Sequence, residues 1–343
     1  MDRRVRVLIV DDSAYVRKAV RQMLSCSPAL EVVGAARDGE DALELVEQLN
    51  PDVVTLDLNM PRLDGVDFIR CQMARRPLPI VVLSVASETG GQVMEALDAG
   101  AVDVVTKPTA LASERVLEVA DGLVAKVLAA ATAKVHPAPI RVAPQVGPTP
   151  SRQLRTDIVV IGVSTGGPHA LKQVIPSLPP DFPVPVAIVL HMPVGFTEPF
   201  ARSLDDASKL KVVEARHGLH VQPGMALIAK AGYHLTFHRQ PDGKVSTRLS
   251  VEPAVTPHRP AVDVMFRSAA EVYGERVLAV ILTGMGTDGT EGAAWVKAQG
   301  GRVVSESEET SVVYGMPRSV VEAGLSDAIV PLHEMAKAIL EAV

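Results

Sequence analysis

The chain of 343 residues contains few cysteines and few aromatic side chains. Its two cysteines, Cys26 and Cys71, fall in different helical segments without the spacing of a metal site, which indicates reduced thiols. Aromatic residues make up 3% of the chain and hydrophobic residues 47%, so any core must be built from aliphatic side chains. Such a composition is typical of buried parallel strands that are covered by helices.

The sequence also lacks an excess of basic residues and any long hydrophobic run. Lysine and arginine number 34 against 40 acidic residues, which argues against nucleic-acid binding. The N-terminal segment enters a short apolar strand without the hydrophobic region of a signal peptide, and no stretch is long and apolar enough to span a bilayer. We therefore expect a cytoplasmic protein that binds no nucleic acid and does not insert into membranes.

Short apolar runs alternate with amphipathic segments throughout most of the chain, a pattern that predicts doubly wound parallel sheets. The first half contains five predicted strands, at residues 6–10, 31–36, 52–57, 79–85 and 102–107. In the second half the strongest strands are "DIVVIG", "VPVAIVLH" and "RVLAVILTG", with a hairpin turned at "PDG" between the last two. We predict an α/β protein of two domains, the first flavodoxin-like (1–124) and the second Rossmann-like with a β-hairpin (154–343). A proline-rich linker (125–153) joins them.

Polar residues cluster at the ends of the strands in the first half. Asp11 and Asp12 end the first strand, Asp57 the third and Ser84 the fourth, and Lys107 follows the fifth. In an open parallel sheet these ends meet at one edge. Three carboxylates repel one another unless a cation joins them, and oxygen ligands suit Mg²⁺. The alternative is that Asp11 and Asp12 only cap the next helix.

The segments "VDDSAYVRK", "DLNMPRLDG", "LSV" and "DVVTKP" resemble the response-regulator receiver domain over residues 5–124. The resemblance implies that Asp57 accepts a phosphoryl group from a CheA-type histidine kinase and that Asp11 and Asp12 help to hold Mg²⁺. It further implies that Ser84 is the switch hydroxyl and Lys107 the phosphate-sensing cation. One position departs from the family, because Val104 stands where receivers often carry an aromatic residue.

The loop "GVSTGG" begins directly after the first strand of the second half. It fits neither a dinucleotide fingerprint, since Ser164 replaces the middle glycine, nor a P-loop, since no Lys-Ser/Thr pair follows. It does match G-x-S-x-G between a strand and a helix, which predicts a nucleophilic serine. A plain turn with Ser164 as helix cap is the alternative.

A nucleophilic serine needs a base and a group that orients that base. His191 ends the next clear strand, and Asp288 lies in a glycine-rich loop after the strand at 277–283, so all three residues are predicted to meet at one sheet edge. His169 is a rival base, but it lies in the helix after the serine, where we expect it to face away from the site. We interpret Met285 and Trp295 as packing residues, and five histidines as surface or rim residues: His217, His220, His234, His238 and His258.

The motifs "IGVSTGGP", "VLHMPVGFTEPFA", "TPHRPAVDVMF", "LTGMGTDG" and "SVVYGMP" resemble the CheB methylesterase domain over residues 155–340. The resemblance implies that Ser164 is the nucleophile, His191 the base and Asp288 its orienting partner. Backbone N–H groups of Thr165 and Met285 are the candidate oxyanion donors. Expected substrates are glutamyl methyl esters, and glutamines, on methyl-accepting chemoreceptors, with no cofactor for the esterase. Lys230, where the family usually has proline, lies outside the triad.

Receiver and esterase together predict an enzyme of chemotaxis-type signalling that phosphorylation activates, because the resemblance implies that the unphosphorylated receiver covers the esterase site. Two other functions compete with this hypothesis. The first is a phosphorylation-dependent binding module that docks receptors without turnover, against which the intact triad argues. The second is a transcriptional regulator, which is disfavoured because no basic recognition helix is present.

Overall fold

The computed structural model describes residues 3–85, 90–107, 115–133 and 156–343. The chain divides into two compact units, Met1–Ile140 and Arg141–Val343. The predicted linker (125–153) begins inside a helix that continues to Ala131, and its proline-rich part, residues 134–153, lies outside the described residues. No helix in the described ranges is long and apolar enough to cross a membrane.

The first unit is a five-stranded parallel sheet with helices between its strands, and all five predicted strands are confirmed. Its strand order is β2-β1-β3-β4-β5. The chain therefore changes direction across the sheet at β1 and β3, and the carboxyl ends of these two strands flank the switch point. The elements are β1 (Val5–Val10), α1 (Ala14–Leu24), β2 (Leu30–Ala36), α2 (Gly39–Leu49), β3 (Val53–Asp57), α3 (Gly65–Arg75), β4 (Ile80–Ser84), α4 (Gly90–Asp98), β5 (Asp103–Thr106) and α5 (Arg115–Ala131).

The second unit is built on a seven-stranded parallel sheet in the order β14-β13-β12-β6-β7-β9-β8, with a separate antiparallel hairpin of β10 and β11. The three predicted strong strands and the hairpin are confirmed. Its strands are β6 (Ile158–Val163), β7 (Val186–Leu190), β8 (Lys211–Glu214), β9 (Met225–Ile228), β10 (His234–Arg239), β11 (Val245–Ser250), β12 (Val277–Ile281), β13 (Arg302–Glu306) and β14 (Ala328–Val330). Its helices are α6 (Gly167–Val174), α7 (Thr197–Ala207), α8 (Val262–Tyr273), α9 (Thr290–Ala298), α10 (Met316–Glu322) and α11 (Leu332–Ala342), with 3₁₀ turns at Ile175–Ser177 and Gly274–Arg276.

The centre of the larger sheet explains where a site can form. β6, β7 and β12 are buried along their whole length, because helices cover both faces of the sheet at these aliphatic strands. From β6 the chain proceeds to β7 on one side and returns later to β12 on the other. Such a switch point leaves a crevice at the carboxyl ends of the strands, which is where ligands bind in open α/β sheets.

Candidate active site and phosphorylation site

The sharp turn after β6 presents Ser164 at the carboxyl end of the central strand. Ser164 is 7% exposed and follows the last residue of β6 directly. The helix cap is Gly166 and not Ser164, so the interpretation of the serine as a cap is wrong. Gly166 has a φ of 78°, and a Cβ there would lie 2.5 Å from Val312, so the turn requires glycine at this position.

His191 and Asp288 form a hydrogen-bonded pair beside this turn. The two strands β6 and β7 pair in parallel, and the backbone N–H of His191 donates to the carbonyl of Val163. His191 Nε2 lies 2.8 Å from Asp288 Oδ2. Because an ionised carboxylate can only accept, Nε2 carries the proton and Nδ1 of the neutral ring has a free lone pair. Nδ1 is buried and has no hydrogen-bond partner among the described residues.

The structure thus joins two members of the predicted triad and places the third at the neighbouring strand end. Within the described ranges no hydrogen bond links the Ser164 hydroxyl to His191 Nδ1. Catalytic hydrogen bonds are often long before substrate binds. The free Nδ1 is the nitrogen that can accept a serine proton, since Asp288 occupies the other one.

Asp288 is held by the N-terminus of α8 as well as by His191. Its Oδ2 accepts from the N–H of Val262 at 2.8 Å, and its Oδ1 from the N–H of Asp263 at 2.9 Å. Burial by itself raises the pKa of Asp288, but the hydrogen bond and charge of His191 and the two backbone N–H groups lower this pKa to about 2. Asp288 therefore stays ionised over the whole neutral range.

Asp263 is a second carboxyl group in this network, and its pKa is raised where that of Asp288 is lowered. Its Oδ1 accepts from the backbone N–H groups of Gly289 and Gly292 at the start of α9. Burial, opposed by these hydrogen bonds and reinforced by the charge of Asp288, raises the pKa of Asp263 to about 7. Two buried carboxyls next to each other cannot both ionise easily, so below about pH 7 the proton resides on Asp263 and the negative charge on Asp288.

The two candidate oxyanion residues lie on different loops of this site. Thr165 is 1% exposed in the turn after β6, whereas Met285 is 40% exposed in the loop between β12 and α9. The interpretation of Met285 and Trp295 as packing residues is wrong, because both side chains are 40% exposed. The indole ring of Trp295 instead lies under the guanidinium group of Arg267, 4.5 Å from its centroid.

Two histidines, His234 in β10 and His258 in the loop before α8, have roles that sequence reasoning missed. His258 is exposed, as predicted, but its ring stacks on the ring of His191 with the centroids 4.2 Å apart. His234 is fully buried, so its prediction as a surface or rim residue is wrong. His234 Nδ1 accepts from the N–H of Ala261 and so ties β10 to the start of α8. Each contact joins residues that are far apart in the chain, His258 with His191 and His234 with Ala261, so no local pattern indicated it.

In the first unit the predicted acidic cluster is present at the ends of β1 and β3. Carboxylate oxygens of Asp11, Asp12 and Asp57 all lie within 4.8 Å of one another and can hold a metal ion. Lys107 Nζ lies 2.7 Å from Asp57 Oδ2 and 3.0 Å from Asp11 Oδ2. The side chain that caps α1 is Ser13, so the alternative in which the two aspartates only cap this helix is wrong.

Burial and ion pairing act in opposite directions on the charged groups of this cluster. Burial, opposed by the charge of Lys107, raises the pKa of Asp11. Although burial alone lowers it, the hydrogen bond to Asp57 and the charges of both aspartates raise the pKa of Lys107. Ser84 ends β4 beside β3 and is 3% exposed, and Val104 is buried in β5. The backbone N–H of Lys107 donates to the carbonyl of Ser84, which fixes these two residues relative to each other.

Comparison with known proteins finds similarity over both units. Residues 159–339 match the family described as CheB methylesterase, and residues 7–118 match the response regulator receiver domain. A protein-glutamate methylesterase/protein-glutamine glutaminase of Myxococcus xanthus is 48% identical over 96% of both chains. One of Symbiobacterium thermophilum is 46% identical over 100% of this chain and 98% of its own. The crystal structure of the Thermotoga maritima CheB methylesterase catalytic domain is 47% identical, covers 55% of this chain and 100% of its own, and superposes with a TM-score of 0.54.

Proposed function

This chain belongs to the CheB methylesterase family, and from that premise we propose that it is a protein-glutamate methylesterase and protein-glutamine glutaminase under the control of its receiver domain. Its substrates are methyl-accepting chemoreceptors, and a CheA-type histidine kinase supplies the phosphoryl group. The observation that carries the hydrolase proposal is the His191–Asp288 pair, whose free Nδ1 lies at the strand end next to Ser164. Methanol release from methylated receptor membranes tests it.

The proposed chemistry is acyl transfer through Ser164. The serine Oγ attacks the ester carbonyl carbon while its proton passes to His191 Nδ1. As the carbon–oxygen bond to the methoxy group breaks, the imidazolium returns this proton and methanol leaves. A water molecule then attacks the acyl-serine by the same route, which regenerates Ser164 and frees a glutamate. With a glutamine side chain the leaving group is ammonia.

Asp288 and the turn after β6 assist these steps in different ways. The carboxylate keeps the proton on His191 Nε2 and stabilises the ring when it becomes a cation. Its own three donors hold it in place, so the ring is oriented before substrate arrives. Backbone N–H groups of Thr165 and Met285 are the proposed donors to the negatively charged oxygen of the tetrahedral intermediate.

For the receiver we propose phosphorylation of Asp57 with Mg²⁺ held by Asp11, Asp12 and Asp57. The residues fit this ion, since three carboxylates converge within 4.8 Å and hard oxygen ligands are what Mg²⁺ prefers. When bound, the ion neutralises charge on the carboxylates and on the incoming phosphoryl group. Lys107 can then pair with the phosphoryl oxygens, and Ser84 can donate to them. We further propose that the unphosphorylated receiver restrains the esterase and that phosphorylation releases it.

Replacing Asp57 with asparagine is expected to abolish stimulation by a small phosphodonor and to leave the unstimulated rate of methanol release unchanged. The amide cannot form the acyl phosphate, while the esterase unit keeps its sequence. The measurement is the rate with and without phosphodonor and Mg²⁺. Asp67→Asn, which alters an exposed acid on α3, is the matched control and should respond like wild type. Stimulation that survives in Asp57→Asn contradicts Asp57 as the phosphorylated residue. Restraint of the esterase by the receiver has its own test: a fragment lacking residues 1–150 that is no faster than the unphosphorylated chain contradicts it.

Replacing His258 with alanine is expected to lower kcat about 3- to 10-fold, because it removes the ring that stacks on His191. Aromatic pairs contribute about 0.5–1.5 kcal/mol, which corresponds to rate changes of this size if the contact orients the base. His258→Phe keeps a flat ring and should retain most of the activity. His238→Ala, at an exposed position of the hairpin, is the control. Equal kcat values for His258→Ala and wild type would show that the stacking does not orient His191.

A further inference from the structure

Glu306 is a completely buried acid at the carboxyl end of β13, next to the strand that leads to Asp288. Both of its carboxylate oxygens accept hydrogen bonds. Oε2 accepts from the backbone N–H of Thr283 at 2.7 Å, and Oε1 accepts from the hydroxyl of Thr310 at 3.0 Å. A buried carboxyl is costly to a fold unless both oxygens are satisfied, and here the first bond reaches directly toward the hydrolase site.

Thr283 is the residue through which this contact reaches the nucleophile. Its carbonyl accepts from the N–H of Ser164 at 3.0 Å, and its hydroxyl donates to the carbonyl of Thr165 at 3.0 Å. Thr283 is itself 1% exposed. The three polar groups of Thr283 therefore bind Glu306 on one side and the turn that carries Ser164 on the other.

The next residue in the chain continues this packing. Gly284 lies so close to the nucleophile that an added Cβ would be 2.8 Å from the Cβ of Ser164. Its N–H donates to the carbonyl of Val313, and its carbonyl accepts from Met316. Met285, a candidate oxyanion residue, follows directly. Hydrogen bonds thus fix the backbone of Thr283 and Gly284, directly before Met285, and the bond from Thr283 to Glu306 is one of them.

Resting on the hydrolase function proposed above, we infer that Glu306 is a positioning residue for this reaction. It holds the N–H of Thr283 and thereby sets the position of the Ser164 turn and of the loop that carries Met285. Glu306 touches neither substrate nor the reacting atoms. Its effect on the rate passes through Thr283.

Ionisation of Glu306 gives this role a measurable signature. Burial, opposed by the hydrogen bonds from Thr283 and Thr310, raises the pKa of Glu306 to about 7. No charged side chain among the described residues contributes to this pKa, and Glu308 and Glu309, which follow in the chain, are exposed. An ionised acceptor binds an N–H group about twice as strongly as a neutral one. The hold on Thr283 is therefore stronger above this pKa than below it.

The test compares Glu306→Leu and Glu306→Gln with wild type in the full-length protein, by methanol release over about pH 6 to 8. Leucine removes the acceptor, so kcat is expected to fall at least about 10-fold with KM unchanged, as for a group that acts on the transition state. Glutamine can still accept from Thr283 while its amide N–H₂ faces the Thr310 hydroxyl, so it should restore most of kcat. The ratio of the wild-type kcat to that of Glu306→Gln should rise at least about twofold from pH 6 to pH 8, because only wild type gains the charged acceptor at residue 306.

Stability gives an independent reading of the same group. In the folded protein the pKa of Glu306 is raised above the ordinary value of a glutamate. Wild type therefore loses stability as the pH rises from that ordinary pKa through about 7. Glutamine carries no such charge. The gain in Tm of Glu306→Gln over wild type should therefore be larger at about pH 8 than at about pH 5. A gain that does not change with pH overturns the ionisation argument.

Matched controls separate positioning from general damage to the sheet. Asp327 accepts from the backbone N–H of Val303 at the other end of β13, so Asp327→Asn perturbs the same strand away from the site and should keep kcat. A folded Glu306→Leu protein with kcat within twofold of wild type overturns the inference, as does Glu306→Gln that is as slow as Glu306→Leu. If Glu306→Leu does not fold, a flat pH ratio for Glu306→Gln overturns it. Wild type that releases no methanol refutes the proposed function instead.

Discussion

Replacing Ser164 with alanine is expected to reduce methanol release from methylated receptors by at least about 10³-fold, to the rate that the remaining groups of the site sustain. The substitution removes only the hydroxyl oxygen. The Cβ that packs against Gly284 and the N–H that donates to Thr283 both remain, so the turn keeps its structure. The loss should appear in kcat, because no acyl-serine can form.

The measurement is methanol release with phosphodonor present, together with the Tm of each variant. Ser177→Ala, which removes an exposed hydroxyl that donates to the carbonyl of Gln173 at the end of α6, is the matched control and should be fully active. Turnover by a folded Ser164→Ala protein within tenfold of wild type would exclude Ser164 as the nucleophile. In that case the receiver would be attached to an output of another kind, such as the docking module considered above.

Replacing Asp288 with asparagine is expected to lower kcat about 10³- to 10⁴-fold at neutral pH. The carboxylate accepts from three donors, His191 Nε2 and the N–H groups of Val262 and Asp263. An amide has one acceptor oxygen, so if that oxygen faces the helix, its N–H₂ group faces His191. The ring must then move its proton to Nδ1, the nitrogen that is needed as the base.

The pH dependence and a neighbouring variant make this prediction specific. Because the pKa of Asp288 is lowered to about 2, wild type keeps the carboxylate ionised across the neutral range, and the defect should persist over that range. Asp263→Asn is the control. It keeps the backbone N–H that donates to Asp288, and its neutral amide resembles the protonated form of Asp263, whose pKa is about 7. It should lose stability at the start of α9 but keep kcat within about tenfold, whereas a similar loss in both variants would contradict a special role for Asp288.

Prediction from the sequence succeeded where long aliphatic strands marked the fold. β6, β7 and β12 are continuous buried runs, and the residues that follow them could be assigned to one sheet edge because parallel strands place their carboxyl ends together. The strands β8 and β14 have four and three residues and lie at the two edges of the sheet, partly exposed. The apolar runs in these short edge strands are at most three residues long, so their pairing depends on neighbours that are distant in the chain.

The contacts of individual polar side chains could not be predicted from the pattern of apolar runs. His258 lies 67 positions after His191, and nothing in its local pattern indicates that the two rings stack. Glu306 looks like one acid in the run "SESEE", yet it is fully buried while Glu308 and Glu309 are exposed. Burial of one member of a charged run is decided by which strand end it occupies and what packs around it.

The amino-acid sequence by itself determined the two α/β units, the strand ends that carry Asp57, Ser164 and His191, and the glycines that the serine turn requires. These features are local, because they follow from side-chain periodicity and from backbone conformations that only certain residues adopt. Tertiary structure alone decided which nitrogen of His191 bonds to Asp288, which of two adjacent carboxyls keeps the charge, and that Glu306 reaches Thr283. These depend on distances and on burial among groups far apart in the chain, which no local pattern encodes.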